Sequence, residues 1–284
     1  RDRSVSRGLG DVYKRQKEYW GYALRIGIPI VPHYLSGIIL NQGDRIMIDK
    51  MVGKTEVALY GLAYSIGMLV QLFISGMNSA LTPWMYSKIK KGDIRSMRKV
   101  LQLLSVVVVG IAVALMLISP ELVLIFGSPK YREAVYVIPP VAASVFFIFI
   151  YNILSMPQFY YEKTQFLMAA SMAAAGANVV LNFIFIRLFG YIAAGYTTLA
   201  CYMLYSVGHY IVSKRILVNE GIQENLMSPG FLVACSAFLI GASIICNLIF
   251  PYRILRYAIL LASAGLVFWK KELLLKTMAD IRKK

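Results

Sequence analysis

The chain has 284 residues, 58% of them hydrophobic and only 15% charged, with a formal net charge of +16. A soluble domain carries roughly 25% charged residues, so this composition with a mean hydropathy of +0.64 excludes a soluble globular enzyme and points to lipid as the solvent, where charges are costly. The basic excess does not point to nucleic acid, because Lys and Arg fall between apolar runs rather than on one polar face. The first segment, 1–16, reads RDRSVSRGLGDVYKRQ. It is polar, lacks the apolar stretch of a signal peptide, and is expected to be disordered. It resembles a translated sequencing adaptor and is set aside as a non-native leader, with the true N-terminus missing.

A membrane helix needs about 20 apolar residues. Taken in order, such runs cover about 22–41, 57–86, 100–119, 134–156, 166–186, 191–212, 231–250 and 254–269. The expected fold is therefore all-α, a polytopic membrane bundle of about eight transmembrane helices. With the N-terminus in the cytoplasm, the inside segments hold Lys14, Arg15 and Lys17, then Lys88, Lys90, Lys91, Arg95, Arg98 and Lys99, then Lys163, then Lys214 and Arg215, and finally Lys270, Lys271, Lys276 and Arg282 to Lys284. The outside segments hold fewer: Arg45, Lys50, Lys54, Lys130, Arg132, Arg187, Arg253 and Arg256. This bias places both ends of the chain in the cytoplasm. The connections are too short for a soluble domain, so activity is expected inside the bundle or at its mouths.

Polar residues inside these runs are the candidates for function. Arg25 lies one turn inside the first run. It either snorkels to the headgroups or faces a hydrated cavity and binds an anionic group such as diphosphate. Pro29 and Pro32 each remove a backbone donor and bend the helix, as at a cavity or hinge, and His33 follows them directly. Asn41, Gln42, Asp44 and Arg45 close the run, where Asp44 and Arg45 can pair locally or cap the helix end. Asn178 and Asn182, four residues apart, share one face of the fifth run with Ala170 and Ala174, a pattern of close helix contact with amide hydrogen bonds. Asn152, Asn78 and Gln71 mark further interior faces. The middles of the runs read as free of Asp and Glu, which favours an anionic cargo.

Other chemistries find no support. Gly53-Lys54-Thr55 has Ile48 where a phosphate-binding loop needs its first glycine. The two histidines, His33 and His209, sit in no zinc-binding pattern, and no GxSxG occurs. Cys201, Cys235 and Cys246 all lie in apolar runs and read as packing residues rather than disulfides. Neither a metal nor another cofactor is expected.

The run ALRIGIPIVPHYLSGIILNQGDRIMIDKMVGKTEVALYGLAYSIG (23–67) is similar to the seventh and early eighth helices of polysaccharide flippases, the O-antigen and capsule repeat-unit exporters of the MATE-like MOP superfamily. Supporting pieces are Gly27-Ile28-Pro29, Asp44-Arg45, Tyr60 to Tyr64, Leu81-Thr82-Pro83-Trp84, Leu124 to Gly127 with Tyr131, and Phe189 to Gly195 after Asn178 and Asn182. The likeness covers about 18–216. It implies a six-helix C-terminal lobe over 17–216, followed by two additional transmembrane helices and a basic cytoplasmic tail over 217–284. A missing N-terminal lobe of the same protein would complete the central cavity.

The resemblance further implies a transporter rather than an enzyme, which flips a lipid-linked oligosaccharide on polyprenyl diphosphate across the cytoplasmic membrane by alternating access. A proton or sodium gradient would couple the cycle. Arg25 is then the expected diphosphate contact, with His33, Asn41, Asp44 and Arg45 as further substrate or ion contacts. The alternatives are another exporter of this fold, a lipid II flippase or multidrug antiporter, and a membrane-embedded polysaccharide polymerase or ligase.

Overall fold

Long apolar runs joined by short polar turns leave the helix as the element that satisfies every backbone group within lipid. The computed structural model describes residues 2–269, and every regular element among them is helical. In order these are α1 (Asp2–Met51), α2 (Lys54–Gly67), α3 (Leu69–Lys91), α4 (Ile94–Phe126), a 3₁₀ segment (Pro129–Val137), α5 (Ile138–Tyr160), α6 (Thr164–Phe189), α7 (Ala193–Asn219), α8 (Pro229–Ile249) and α9 (Arg253–Trp269). The protein is a polytopic all-α bundle.

Among the described residues, six stretches are long and apolar enough to cross a membrane: α1 from Gln16, α2 with α3, α4, the 3₁₀ segment with α5, α6, and α8. The other two expected spans, 191–212 and 254–269, are helices α7 and α9 but are not among those six. Thr197, Thr198, Ser206, His209 and Ser213 interrupt the apolar character of α7, and α9 has 17 residues. The expected basic tail beyond 269 lies outside the described residues.

The axis of the bundle is α5. It packs against α3, α4, α7 and α8, and its residues from Ile138 to Ile150 are all buried. That burial explains why the run is hydrophobic on every face. The helices around it are one-sided. α1 presents Ile28, Val31, Leu35 and Ile38 outward, and α6 presents Val180, Phe183 and Leu188. Exposed apolar faces of this kind are stable in lipid, not in water. α1 and α6 pack along each other, which brings the two amide-bearing stretches of the sequence together.

Two expectations are corrected. The helix of α1 starts at Asp2, through the segment expected to be disordered; once a helix is nucleated by the apolar run, propagation costs little per residue. The second run is two helices, broken at Met68. A Cβ on Gly67 would lie 2.6 Å from Val141 Cγ1, so the glycine just before the break lets α2 sit directly on α5. By contrast, α1 continues as helix through Pro29 and Pro32, and Ser36 Oγ donates to the Pro32 carbonyl at 2.7 Å.

Candidate functional site

The polar residues scattered over four apolar runs converge on one carboxylate. Asp44 is fully buried. Its Oδ2 accepts from Tyr60 Oη of α2 at 2.5 Å and from Thr198 Oγ1 of α7 at 2.7 Å. Its Oδ1 accepts from Asn182 Nδ2 of α6 at 2.5 Å. A second ring of bonds fixes these donors. Asn182 Nδ2 also donates to Asn178 Oδ1 at 3.1 Å, Thr197 Oγ1 donates to Asn182 Oδ1, and Asn178 Nδ2 reaches Thr198 Oγ1 at 3.4 Å. The donors are all neutral. Among the described residues the ion pairs are Lys88–Asp93 and Glu121–Arg256, and neither involves Asp44. A buried carboxylate without a counter-charge is costly, and a bound cation or proton would relieve it.

One helical turn away lies a second polar layer on the same three helices. Asn41 precedes Asp44 by three residues on α1, Tyr64 follows Tyr60 by four on α2, and Tyr202 follows Thr198 by four on α7. Asn41 Oδ1 accepts from Tyr64 Oη at 2.6 Å and from Tyr202 Oη at 3.3 Å. This layer forms a wall of a cavity of about 750 Å³ that is also bordered by His33, Arg45, Tyr151, Asn152, Ser155 and Tyr205. Tyr205 Oη lies 3.1 Å from His33 Nδ1. The Arg45 guanidinium sits over the Tyr64 ring, 5.2 Å from its centre, donates to Gln42 Oε1 at 2.9 Å, and keeps a buried Nε without a partner. Aromatic faces, amides and one stacked guanidinium therefore share one cavity, a set suited to sugar rings and an anionic group.

Several sequence expectations change on this geometry. Asp44 and Arg45 neither pair nor cap the helix end, because α1 runs on to Met51 and the two side chains point to different layers. The spans are not free of acids, since Asp44 lies inside the candidate span Gln16–Met51. Arg25 is apart from the other candidates. It is exposed and borders a separate cavity of about 370 Å³ with Tyr22, Glu162, Lys163 and the start of α6. Eight residues of helix separate it from His33, about 12 Å along the axis. Asn178 and Asn182 are more than a packing stripe, as both belong to the Asp44 network, and Asn152 borders the main cavity. Asn78 is half-buried on α3 and borders neither cavity.

The sequence reading missed Tyr60, Tyr64, Thr197, Thr198 and the cluster of Tyr151, Tyr202 and Tyr205. The Tyr151 and Tyr205 rings lie 4.5 Å apart. Hydroxyl-bearing residues at three- and four-residue spacing within apolar runs were the available signal.

A helix bundle with long apolar spans around a buried carboxylate network and a polar cavity defines a multi-pass membrane protein. The MatE family model matches residues 29–184, more than half of the chain, and the chain belongs to that family of membrane transporters. The match takes in Asp44, Tyr60 and both asparagines, while Thr198 and Tyr202 lie on α7 beyond it. Two Haemophilus influenzae proteins are similar. One, of the Lsg locus, is 28% identical over 168 residues, 56% of this chain and 40% of the relative. The other, described as an uncharacterized membrane protein, is 29% identical over 161 residues, 54% of this chain and 38% of the relative. The matched stretch thus spans about two fifths of these relatives' length. No solved structure matches.

Proposed function

We propose that this chain is the C-terminal lobe of a cation-coupled flippase in the cytoplasmic membrane, both ends facing the cytoplasm, that moves polyprenyl-diphosphate-linked oligosaccharides to the other leaflet. The observation that carries the reading is the stacking of two polar layers, one turn apart, on α1, α2 and α7. The Asp44 layer is a candidate for the coupling proton or sodium ion, and the Asn41 layer faces the cargo cavity. A change in the charge of Asp44 alters the hold of Tyr60 and Thr198, and both are tied through their own helices to Tyr64 and Tyr202. The cavity supports a glycan cargo through its aromatic and amide walls. It supports a diphosphate through Arg45, whose fork of donors suits phosphate oxygens. Arg25, at the cytoplasmic end in this topology, is a second candidate for the diphosphate, acting during loading rather than inside the cavity. A second lobe of the same protein would supply the opposite wall.

The buried carboxylate also favours a second reading within the family, a multidrug antiporter in which Asp44 exchanges a cation for a cationic drug. Proteoliposomes containing the full-length protein discriminate the two. A labelled polyprenyl-diphosphate disaccharide is expected to become protected from an external modifying enzyme in the presence of a gradient. Efflux of a lipophilic cationic dye without protection of the disaccharide would transfer the assignment to the antiporter.

A further inference from the structure

Helices α8 and α9 lie beyond the matched family segment, and α9 with the turn before it forms, together with the end of α4 and the 3₁₀ segment, the largest of the cavities described here. It measures about 850 Å³ and opens where α4 ends, the 3₁₀ segment begins and α8 turns into α9. By the charge bias of the loops this is the outer end of the bundle. Its walls are of two kinds. Val123, Leu124, Val135, Tyr136 and Phe250 supply an apolar face, and Leu124 is also exposed on the outside of the bundle. Lys130, Arg132, Arg253 and Arg256 supply four cations against the acids Glu121 and Glu133.

The acids do not neutralise the site. Arg256 is buried and bidentate to Glu121, with both bonds at 2.8 Å, and it donates to the Leu117 carbonyl at 2.7 Å. Its Nε is buried without a partner. Tyr257 Oη donates to the same carboxylate at 2.9 Å, so Glu121 is consumed in joining α9 to α4. Lys130, Arg132 and Arg253 remain exposed at the rim with Glu133 as the one acid among them. Half of the cations on the sparsely charged outer side are thus gathered at one cleft, against the general tendency of membrane proteins to keep such residues inside.

From this juxtaposition of an apolar wall and a cationic rim at the membrane–water boundary, we propose that the cleft between the end of α4, the 3₁₀ segment and the start of α9 binds an anionic phospholipid of the adjacent leaflet. The phosphate lies among Lys130, Arg132 and Arg253, and an acyl chain lies along Leu124, Tyr136 and Phe250. The excess positive charge selects an anionic headgroup over a zwitterionic one, and the apolar wall selects a lipid over free phosphate. The Glu121–Arg256 pair holds the two walls together without contacting the ligand's charge.

The test is thermal unfolding of delipidated full-length protein in detergent, with phosphatidylglycerol, phosphatidylcholine or inorganic phosphate added. Phosphatidylglycerol at saturation is expected to raise the midpoint by roughly 5 °C, and the other two by little. In the triple variant Lys130→Gln, Arg132→Gln, Arg253→Gln the rise is expected to be lost, and native mass spectrometry is expected to show less retained phosphatidylglycerol. The three side chains are exposed, so the variant folds; its folding is checked by its own unfolding midpoint without lipid. An equal rise in the triple variant, or an equal rise with phosphatidylcholine, overturns the proposal. A rise with inorganic phosphate alone assigns the site to a free anion and overturns the lipid.

Discussion

Replacing Asp44 separates its chemical role from its structural one. Asp44→Asn keeps the shape of the side chain and removes its charge. Three donors converge on the carboxylate, and a hydrogen bond to an ionised acceptor is worth about 1.5–3 kcal/mol against about 1 for a neutral pair. The isostere therefore forfeits about 2–6 kcal/mol of hydrogen bonding, while the several kcal/mol spent on burying an unpaired charge disappears. The two nearly cancel. The Tyr60 and Thr198 hydroxyls can also turn to accept from the new amide, because a hydroxyl both donates and accepts. Asp44→Ala differs, since it strands three buried donors at about 1–3 kcal/mol each, a large share of the roughly 5–15 kcal/mol that stabilises a typical protein. The expectation is that Asp44→Asn inserts normally and melts close to the parent but gives no gradient-driven transport in proteoliposomes, whereas Asp44→Ala melts far lower. Gradient-dependent transport by Asp44→Asn at the parental rate would remove the carboxylate from coupling. An unchanged melting midpoint for Asp44→Ala would show that the network does not hold the four helices together.

Arg45→Ala is expected to raise the lipid-linked oligosaccharide concentration for half-maximal transport by about 10-fold or more, the value of one lost charged hydrogen bond. Arg45→Lys should fall between, since the ammonium keeps the charge but not the planar stack on Tyr64; equal rates in all three proteins would take the cavity away from the anionic part of the cargo. Arg25→Ala in the complete protein is expected to weaken glycan export without loss of membrane insertion, and by less than Arg45→Ala because Arg25 borders a separate cavity; normal surface glycan in that variant would retire it as a substrate contact. Gly67→Ala is expected to lower stability by about 1–3 kcal/mol through overpacking, since the added methyl meets Val141 at 2.6 Å. A thermal midpoint equal to the parent's would mean that α2 is not packed against Val141 as closely as this.

The solvent, the helical class and the order of the spans were legible because each rests on a local quantity, the length of an apolar run and the charge of the turn after it. Asn178 and Asn182 were legible as a shared face for the same reason, since helical periodicity fixes their direction. What they face was not. Asp44 is separated from Thr198 by 154 residues, and nothing local in NQGDR distinguishes a residue at a helix end from one that lies about two turns inside it. Reading the helix as ending near Asn41 turned a buried carboxylate into a surface pair. The same error hid Arg45 as a cavity residue and left Arg25, the more conspicuous arginine, as the leading candidate. The close approach of α2 to α5 at Gly67 was equally non-local, because it depends on Val141, a residue of α5.

The acid at position 44 also changes how cargo can be inferred in this fold. Apparent absence of acidic residues from the spans argues for an anionic substrate only if the spans are correctly bounded, and here the span Gln16–Met51 contains Glu18, Asp44 and Asp49, of which Asp44 is buried. The carboxylate, however, spends both oxygens on Tyr60, Thr198 and Asn182 and is fully buried behind the Asn41 layer, so a cargo as large as an oligosaccharide or a drug meets Asn41, Tyr64 and Tyr202 before it could reach Asp44. The group that does face the cavity is Arg45, and its charge is positive. On the proposed reading, cargo charge is therefore read from Arg45 and the driving ion from Asp44. Asp44 and Arg45 are neighbours on α1, so on the proposed reading a single rigid helix carries both, and a shift of α1 on charging or discharging Asp44 would move Arg45 with it.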